Sequence, residues 1–245
     1  MIAILKRIYS IFFFSAWITM YLLFYPLLWI SARFEYFHPF AYQYEKFIAK
    51  LFLVVPGIYL KKDFRFKPSK KENYIYCPNH TSFLDIIVSY AVLPGNLVFV
   101  GKASLKKVPL FGAIYRRLHI IVDRESKINS ARAALKSLAH LEKGNNLVIF
   151  PEGTINHSAP ALGKFKDGPF VVALEKKVKL VPVTFPDNRF FFPDDKKFLV
   201  RPGFLRVVVH EPIDCALYSK ENLAEIKEKV WQIMQLELNK DNKPF

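Results

Sequence analysis

The chain has 245 residues, 52% hydrophobic and 16% aromatic, with a formal net charge of +15. That length holds one domain of ordinary size plus an appendage, and two distant cysteines, Cys77 and Cys215, exclude a disulfide scaffold or a Cys-based zinc site and fit a reducing compartment. Surplus cations suit nucleic acid or an anionic membrane surface; with no RNP aromatics, zinc-finger spacing or recognition-helix signature, the membrane is the expected partner and nucleic acid is not.

Residues 8–32 carry no charge and include Phe12-Phe13-Phe14, Trp17, Tyr21 and Trp29, with Lys6, Arg7 and Arg33 at the borders. The run exceeds the roughly 20 residues that span hydrocarbon as a helix. No clear small-x-small cleavage site follows, so it reads as retained rather than as a signal peptide. Pro26 removes a backbone donor and is a place for a bend. A second helix is expected from Phe40 to Val55, amphipathic and stopped by Pro56-Gly57. A long apolar helix followed by an amphipathic one predicts a hairpin lying on or dipped into one leaflet, with a single span as the rival. The division expected is therefore a membrane-associated unit over 1–57 and an α/β domain over 58–245.

From Ile58 the pattern becomes strands separated by helices. Strands are expected at Ile58–Phe66, Tyr74–Cys77, Leu97–Val100, His119–Val122, Leu147–Phe150, Leu180–Phe185 and Leu205–His210. Helices are expected at Ser82–Leu93, Lys127–Glu142, Pro169–Lys177 and Ser219–Asn239, and Asp187–Lys197 reads as an excursion between strands. Alternating elements predict a single α/β domain with a largely parallel or mixed sheet flanked by helices.

Two polar loops fall at expected strand ends: Asn79-His80-Thr81-Ser82-Phe83-Leu84-Asp85 and Phe150-Pro151-Glu152-Gly153-Thr154. Strand ends are where an α/β fold gathers its chemistry. On one continuous helix His80 and Asp85 would point about 140° apart. They meet if His80 lies on the loop and the helix begins at Thr81 or Ser82, with Asp85 reaching back from the first turn. A carboxylate on one ring nitrogen leaves the other as a general base. The competing reading is a capping box, Ser82 to Asp85, with the carboxylate on the helix's own first amides.

Taken in order, the blocks resemble the glycerolipid acyltransferase family, whose best-known members acylate 1-acylglycerol-3-phosphate to phosphatidic acid. The first block is Asn79, His80 and Asp85. The second is similar to Gly101-Lys102, Leu105, Pro109, Phe111-Gly112 and Val122-Asp123-Arg124, the third to Phe150 through Thr154, and the fourth to Val181-Pro182-Val183. The resemblance covers about residues 75–185. It implies His80 and Asp85 as catalytic residues, and Asn79, Lys102, Arg124, Glu152, Gly153 and Thr154 as substrate-binding ones. It also implies no bound cofactor or metal, acyl-CoA or acyl-carrier protein as donor, a lysophospholipid acceptor, and an active site at the cytoplasmic face of the membrane. Two departures stand in the acceptor's region. Ile155-Asn156 replace the usual arginine and serine, and eleven residues separate Gly112 from Arg124, one fewer than usual.

The chemistry is consistent with that resemblance. An attacking hydroxyl must lose its proton, which His80 accepts while Asp85 fixes the tautomer, as in a serine-hydrolase triad with the substrate's hydroxyl in serine's place. No G-x-S-x-G elbow is present, which disfavours a serine hydrolase. Cys77 reads as a small core residue rather than a nucleophile. Eight Lys/Arg lie from Lys102 to Arg132, against Asp123 and Glu125, and supply cations for an anionic headgroup. The alternatives are another lyso-lipid acceptor, such as an amino-acid lipid, and a non-catalytic membrane-binding protein on the same scaffold.

Overall fold

The computed structural model describes residues 2–123, 127–195 and 197–240. Seven strands form one sheet: β1 (Ile58–Phe64), β2 (Tyr74–Pro78), β3 (Leu97–Lys102), β4 (Ile120–Val122), β5 (Asn146–Val148), β6 (Lys179–Thr184) and β7 (Gly203–Val209). Their spatial order is β1-β7-β6-β2-β5-β3-β4, and every neighbouring pair is parallel except β6 and β7. The α/β class and the seven expected strands are thus present, with ends differing by a residue or two. The helices are α1 (Ile2–Arg33), α2 (His38–Val54), α3 (Leu84–Val92), α4 (Phe111–Leu118), α5 (Lys127–Glu142), α6 (Gly168–Lys176), α7 (Asn188–Phe191) and α8 (Leu223–Asn239).

The central strands β2, β5 and β6 are buried because both faces of the sheet are covered there, whereas the edge strand β1 carries Lys61, Lys62 and Asp63 and is largely exposed. Side chains alternate along β2: Tyr74 and Tyr76 join Leu84 and Val88 of α3 in one core, while Ile75 and Cys77 join Phe170 and Val172 of α6 and Val230 of α8 in the other. Cys77 is fully buried and its surroundings push its thiol pKa up, so it is a core residue and not a nucleophile. Helix α1 runs on through Pro26. It lies along α2 and touches α4, burying Phe13, Leu28 and Ala32, while Ile4, Ile8, Ile11, Phe12, Leu22 and Leu23 stay exposed.

Helix α4 is the one longer element that sequence periodicity does not announce. It has only eight residues, and its close packing depends on Gly112, where an added Cβ would sit 2.3 Å from the Lys106 carbonyl oxygen. The excursion after β6 holds the short α7, whose residues reach the polar loop at the end of β2.

Candidate active site

The loop after β2 is tied down before it turns. Asn79 is fully buried; its Nδ2 donates to the Phe185 carbonyl (3.3 Å) and its Oδ1 accepts from the Phe185 amide (2.7 Å), so it clamps the ends of β2 and β6 together. His80 follows, its ring stacked on Phe150 at 4.2 Å between centroids and 26° between planes. Helix α3 begins at Leu84, two or three residues later than the spacing suggests, because Ser82 turns away to donate to the Phe192 carbonyl (2.6 Å). Asp85 still lies in the first turn and points back, as the geometry requires.

The carboxylate of Asp85 does two things at once. Its Oδ2 lies 2.8 Å from His80 Nδ1, and it also accepts from the Thr81 and Ser82 amides at 2.6 and 2.8 Å. The carboxylate therefore reaches the histidine ring while tying the loop amides ahead of α3; the expected capping box is not formed, since the helix has Phe83 at its N-cap and no side-chain cap. Asp85 is fully buried and its Oδ1 accepts from Asn188 Nδ2 at 2.7 Å. A carboxylate beside Nδ1 places a proton there, so in the neutral ring Nε2 carries the lone pair. The His80 side chain is 13% exposed, so part of the ring reaches solvent.

Glu152 sits behind this pair. Its Oε1 accepts from the His80 amide (2.9 Å) and its Oε2 from the Gly163 amide (2.8 Å), so the carboxylate braces the loop carrying the histidine. Burial raises its pKa, and the two amides offset part of the rise. Gly153 has φ +79°, which an L side chain rarely adopts. Thr154 is exposed, and Asn156 donates its amide to the His80 carbonyl at 2.7 Å. Lys102 is exposed at the end of β3, on the same edge of the sheet as His80 but two strands away. Arg124 lies outside the described residues. Arg116 and Arg117, in the same run of cations, are in the last turn of α4, beside the start of β4, and so away from Lys102.

Two features escape sequence reasoning. Asn188 is fully buried and holds Asp85 from 103 residues away. Its neighbour Asp187, also fully buried, pairs with Arg206 on β7 at 2.5 Å and anchors that turn. The available signal is a polar pair, Asp187-Asn188, just past Phe185-Pro186 at the end of a buried strand. The second is a cavity of about 290 Å³ between α5 and α6 that reaches Phe150 and Gly153, lined by Ala133, Ala134, Ile149 and Val172, with Lys166 at its wall.

A buried carboxylate, an imidazole held at Nδ1 and a largely apolar cavity thus gather at one end of the sheet. Residues 60–186, just over half of the chain, match the family model described as Acyltransferase. The chain belongs to the acyltransferase family. It is similar to a chloroplastic 1-acyl-sn-glycerol-3-phosphate acyltransferase of Arabidopsis thaliana, 28% identical over 186 residues, covering 72% of this chain and 51% of that protein. A 1-acyl-sn-glycerol-3-phosphate acyltransferase of Borreliella burgdorferi is 31% identical over 163 residues, 64% of each chain. This chain thus spans about half to two thirds of the length of these relatives. Its fold is shared with the crystal structure of the 1-acyl-sn-glycerophosphate acyltransferase PlsC from Thermotoga maritima, with a TM-score of 0.78 and 18% identity over 100% of this chain and 99% of that one.

Proposed function

We propose that this protein transfers a fatty acyl group from an acyl thioester, acyl-CoA or acyl-carrier protein, to the free hydroxyl of a lysophospholipid, namely 1-acylglycerol-3-phosphate, forming phosphatidic acid. The observation that carries the reading is the Asp85–His80 pair, 2.8 Å apart, with Asp85 buried and Nε2 free. The acceptor hydroxyl attacks the thioester carbonyl carbon as its proton passes to His80 Nε2. Asp85 stabilises the imidazolium so formed. Collapse of the tetrahedral intermediate breaks the C–S bond, and the imidazolium returns the proton to the leaving thiolate. The acyl chain of the donor fits the cavity between α5 and α6, which reaches His80's stacking partner Phe150.

Residues 1–57 act in this reading as the membrane-binding unit. Helix α1 is long and apolar enough to cross a membrane, yet one of its faces is covered from Ser10 to Ala32. A helix packed lengthwise on the domain, with an apolar outer face, suits lying in one leaflet better than standing across both. The active site would then face the cytoplasm, where acyl thioesters are made.

The test is turnover by detergent-solubilised protein on a panel of lyso-lipids with an acyl thioester, with products identified by mass. His80→Ala should lose roughly 10²–10⁴-fold in kcat while its thermal melt stays near wild type. Near wild-type turnover by the variant would defeat the mechanism. Acylation of an amino-acid lyso-lipid but not of 1-acylglycerol-3-phosphate would replace the acceptor and keep the chemistry.

A further inference from the structure

The far end of the molecule carries a feature that acyl transfer does not use. Arg116 and Arg117, in the last turn of α4, converge with Lys136 and His140 of α5 and Lys143 just past its end around a cavity of about 220 Å³ beside the start of the edge strand β4. His80, by contrast, follows the end of β2, so this pocket opens at the opposite end of the parallel strands from the catalytic pair. Lys136 and His140 fall at i and i+4 on one face of α5, and Lys143 follows in the turn that ends the helix. Four cations meet here; among the described residues the nearby carboxylates are Glu45, held by His119 at 3.1 Å, and Glu35, which lies 3.7 Å from Lys143 in a pair exposed on both sides. Such a pair is worth little and is screened by salt. Arg117 spends one donor on the Ala113 carbonyl of its own helix, and no ion pair is seen for Arg116 or Lys136 among the described residues.

The location points to what neutralises that charge. Glu35 belongs to the one-turn connection Glu35–Phe37 between α1 and α2, and Tyr36 there is 86% exposed, with Phe34 and Phe37 also exposed. Tyr42 of α2 donates to the Leu118 carbonyl at 3.1 Å, which fixes the hairpin against the end of α4 beside the cations. Exposed aromatic rings at the tip of an apolar hairpin settle at the boundary between headgroups and acyl chains. A basic cavity beside them would then open into the layer of lipid phosphates. We propose that this pocket binds the phosphate headgroup of an anionic phospholipid in the leaflet on which the hairpin lies, apart from any acceptor lipid at the active site. This rests on reading residues 1–57 as the membrane-binding unit. Binding here holds the far end of the domain to the bilayer and sets the tilt at which the catalytic end meets it.

The test compares a pocket variant (Arg116→Gln, Arg117→Gln, Lys136→Gln) with a control losing equal charge (Lys67→Gln, Lys70→Gln, Lys71→Gln) on the 65–73 connection from the other edge strand. Full-length proteins are partitioned onto phosphatidylcholine vesicles, with and without phosphatidylglycerol or phosphatidic acid. On anionic vesicles the pocket variant should bind more weakly by about fivefold per cation, about a hundredfold in all, since each Lys/Arg near such a surface contributes comparably. The control should lose far less, and both should bind neutral vesicles like wild type, which also shows that they fold. Equal losses in pocket and control variants, or none in the pocket variant, would overturn the proposal. So would a loss confined to binding inorganic phosphate or acyl-carrier protein. Turnover of a detergent-dispersed acceptor should survive in the pocket variant. A wild type with no acyltransferase activity would defeat the proposed function and leave the vesicle readout intact.

Discussion

The carboxylate of Asp85 accepts from the Thr81 and Ser82 amides, from Asn188 Nδ2 and from the His80 ring, and each of those contacts limits how far the imidazole can swing. Asn188 is the partner furthest away in sequence, and it touches nothing in the proposed reaction. Asn188→Ala should leave Asp85 Oδ1 buried and unpaired, at about 1–3 kcal/mol. We expect kcat to fall about tenfold or more with KM for both substrates nearly unchanged. A drop in KM-controlled binding with kcat intact would show that Asn188 shapes the substrate pocket instead. Lys102 poses the complementary question about the acceptor. If a phosphate lies against it, Lys102→Ala should weaken acceptor use by about 1.5–3 kcal/mol, one to two factors of ten, and leave the donor alone. Ile155→Arg should then improve use of 1-acylglycerol-3-phosphate. Saturation curves for the acceptor read both effects.

At the scale of elements, the N-terminal helices are part of the core as well as the proposed anchor. Ile48, Ala49 and Phe52 of α2 face Ile86, Ile87 and Tyr90 of α3 around a shared apolar pocket, and Phe13 and Leu53 are buried almost completely. Each large side chain so buried contributes roughly 1.5–3 kcal/mol. A polar tie crosses the same boundary. His119 accepts from the Phe99 amide through Nδ1 (3.3 Å), which places its proton on Nε2, 3.1 Å from Glu45 Oε1 of α2 and 2.7 Å from the Tyr90 hydroxyl. Removing 1–57 would strip α3 of its cover and leave that histidine and tyrosine without their carboxylate. The fragment 58–245 should aggregate in buffer and need detergent to stay dispersed. A monodisperse fragment in size-exclusion chromatography, fully active on vesicles, would reject the anchoring role.

Over the whole molecule, pH is felt where the ends of β1 and β7 meet the C-terminal helix. His210, directly after β7, is buried; Arg65 Nη1 lies 3.0 Å from its Nδ1, and its Nε2 is 2.8 Å from Thr184 Oγ1. A guanidinium can only donate, so Nδ1 is an acceptor and the ring is neutral. Burial first, and the facing Arg65 charge second, push its pKa down from 6.5 to about 4. Asp63, Glu237 and Lys240 act on it as well, the carboxylates opposing the shift. With the folded pKa below the unfolded one, the unfolded chain binds a proton between those values that the folded chain refuses. Stability should therefore fall as pH drops from about 6.5 towards about 4, by at most about 3 kcal/mol from this group. Melting temperatures across that window should fall more steeply for wild type than for His210→Gln. Parallel curves would show that His210 does not titrate there.

The order of the elements, the class of the sheet and the His80–Asp85 pair were all legible from local pattern, since apolar runs, turn residues and a short polar block are encoded within a few residues of one another. The same holds for the apolar helix and its amphipathic partner. Tertiary structure decided what depends on distant chain segments meeting. It placed Asn188 on Asp85 across 103 residues, turned Glu152 inward to brace the His80 loop, and divided one run of cations between two ends of the molecule. None of these has a sequence period, because a hydrogen bond between loops depends on where strand ends meet in space. The α4 helix makes the same point on a smaller scale. Eight residues are too few for periodicity to declare, and tertiary contacts fix where that helix lies: the close approach at Gly112, the packing of α1 and the Tyr42 bond to the Leu118 carbonyl.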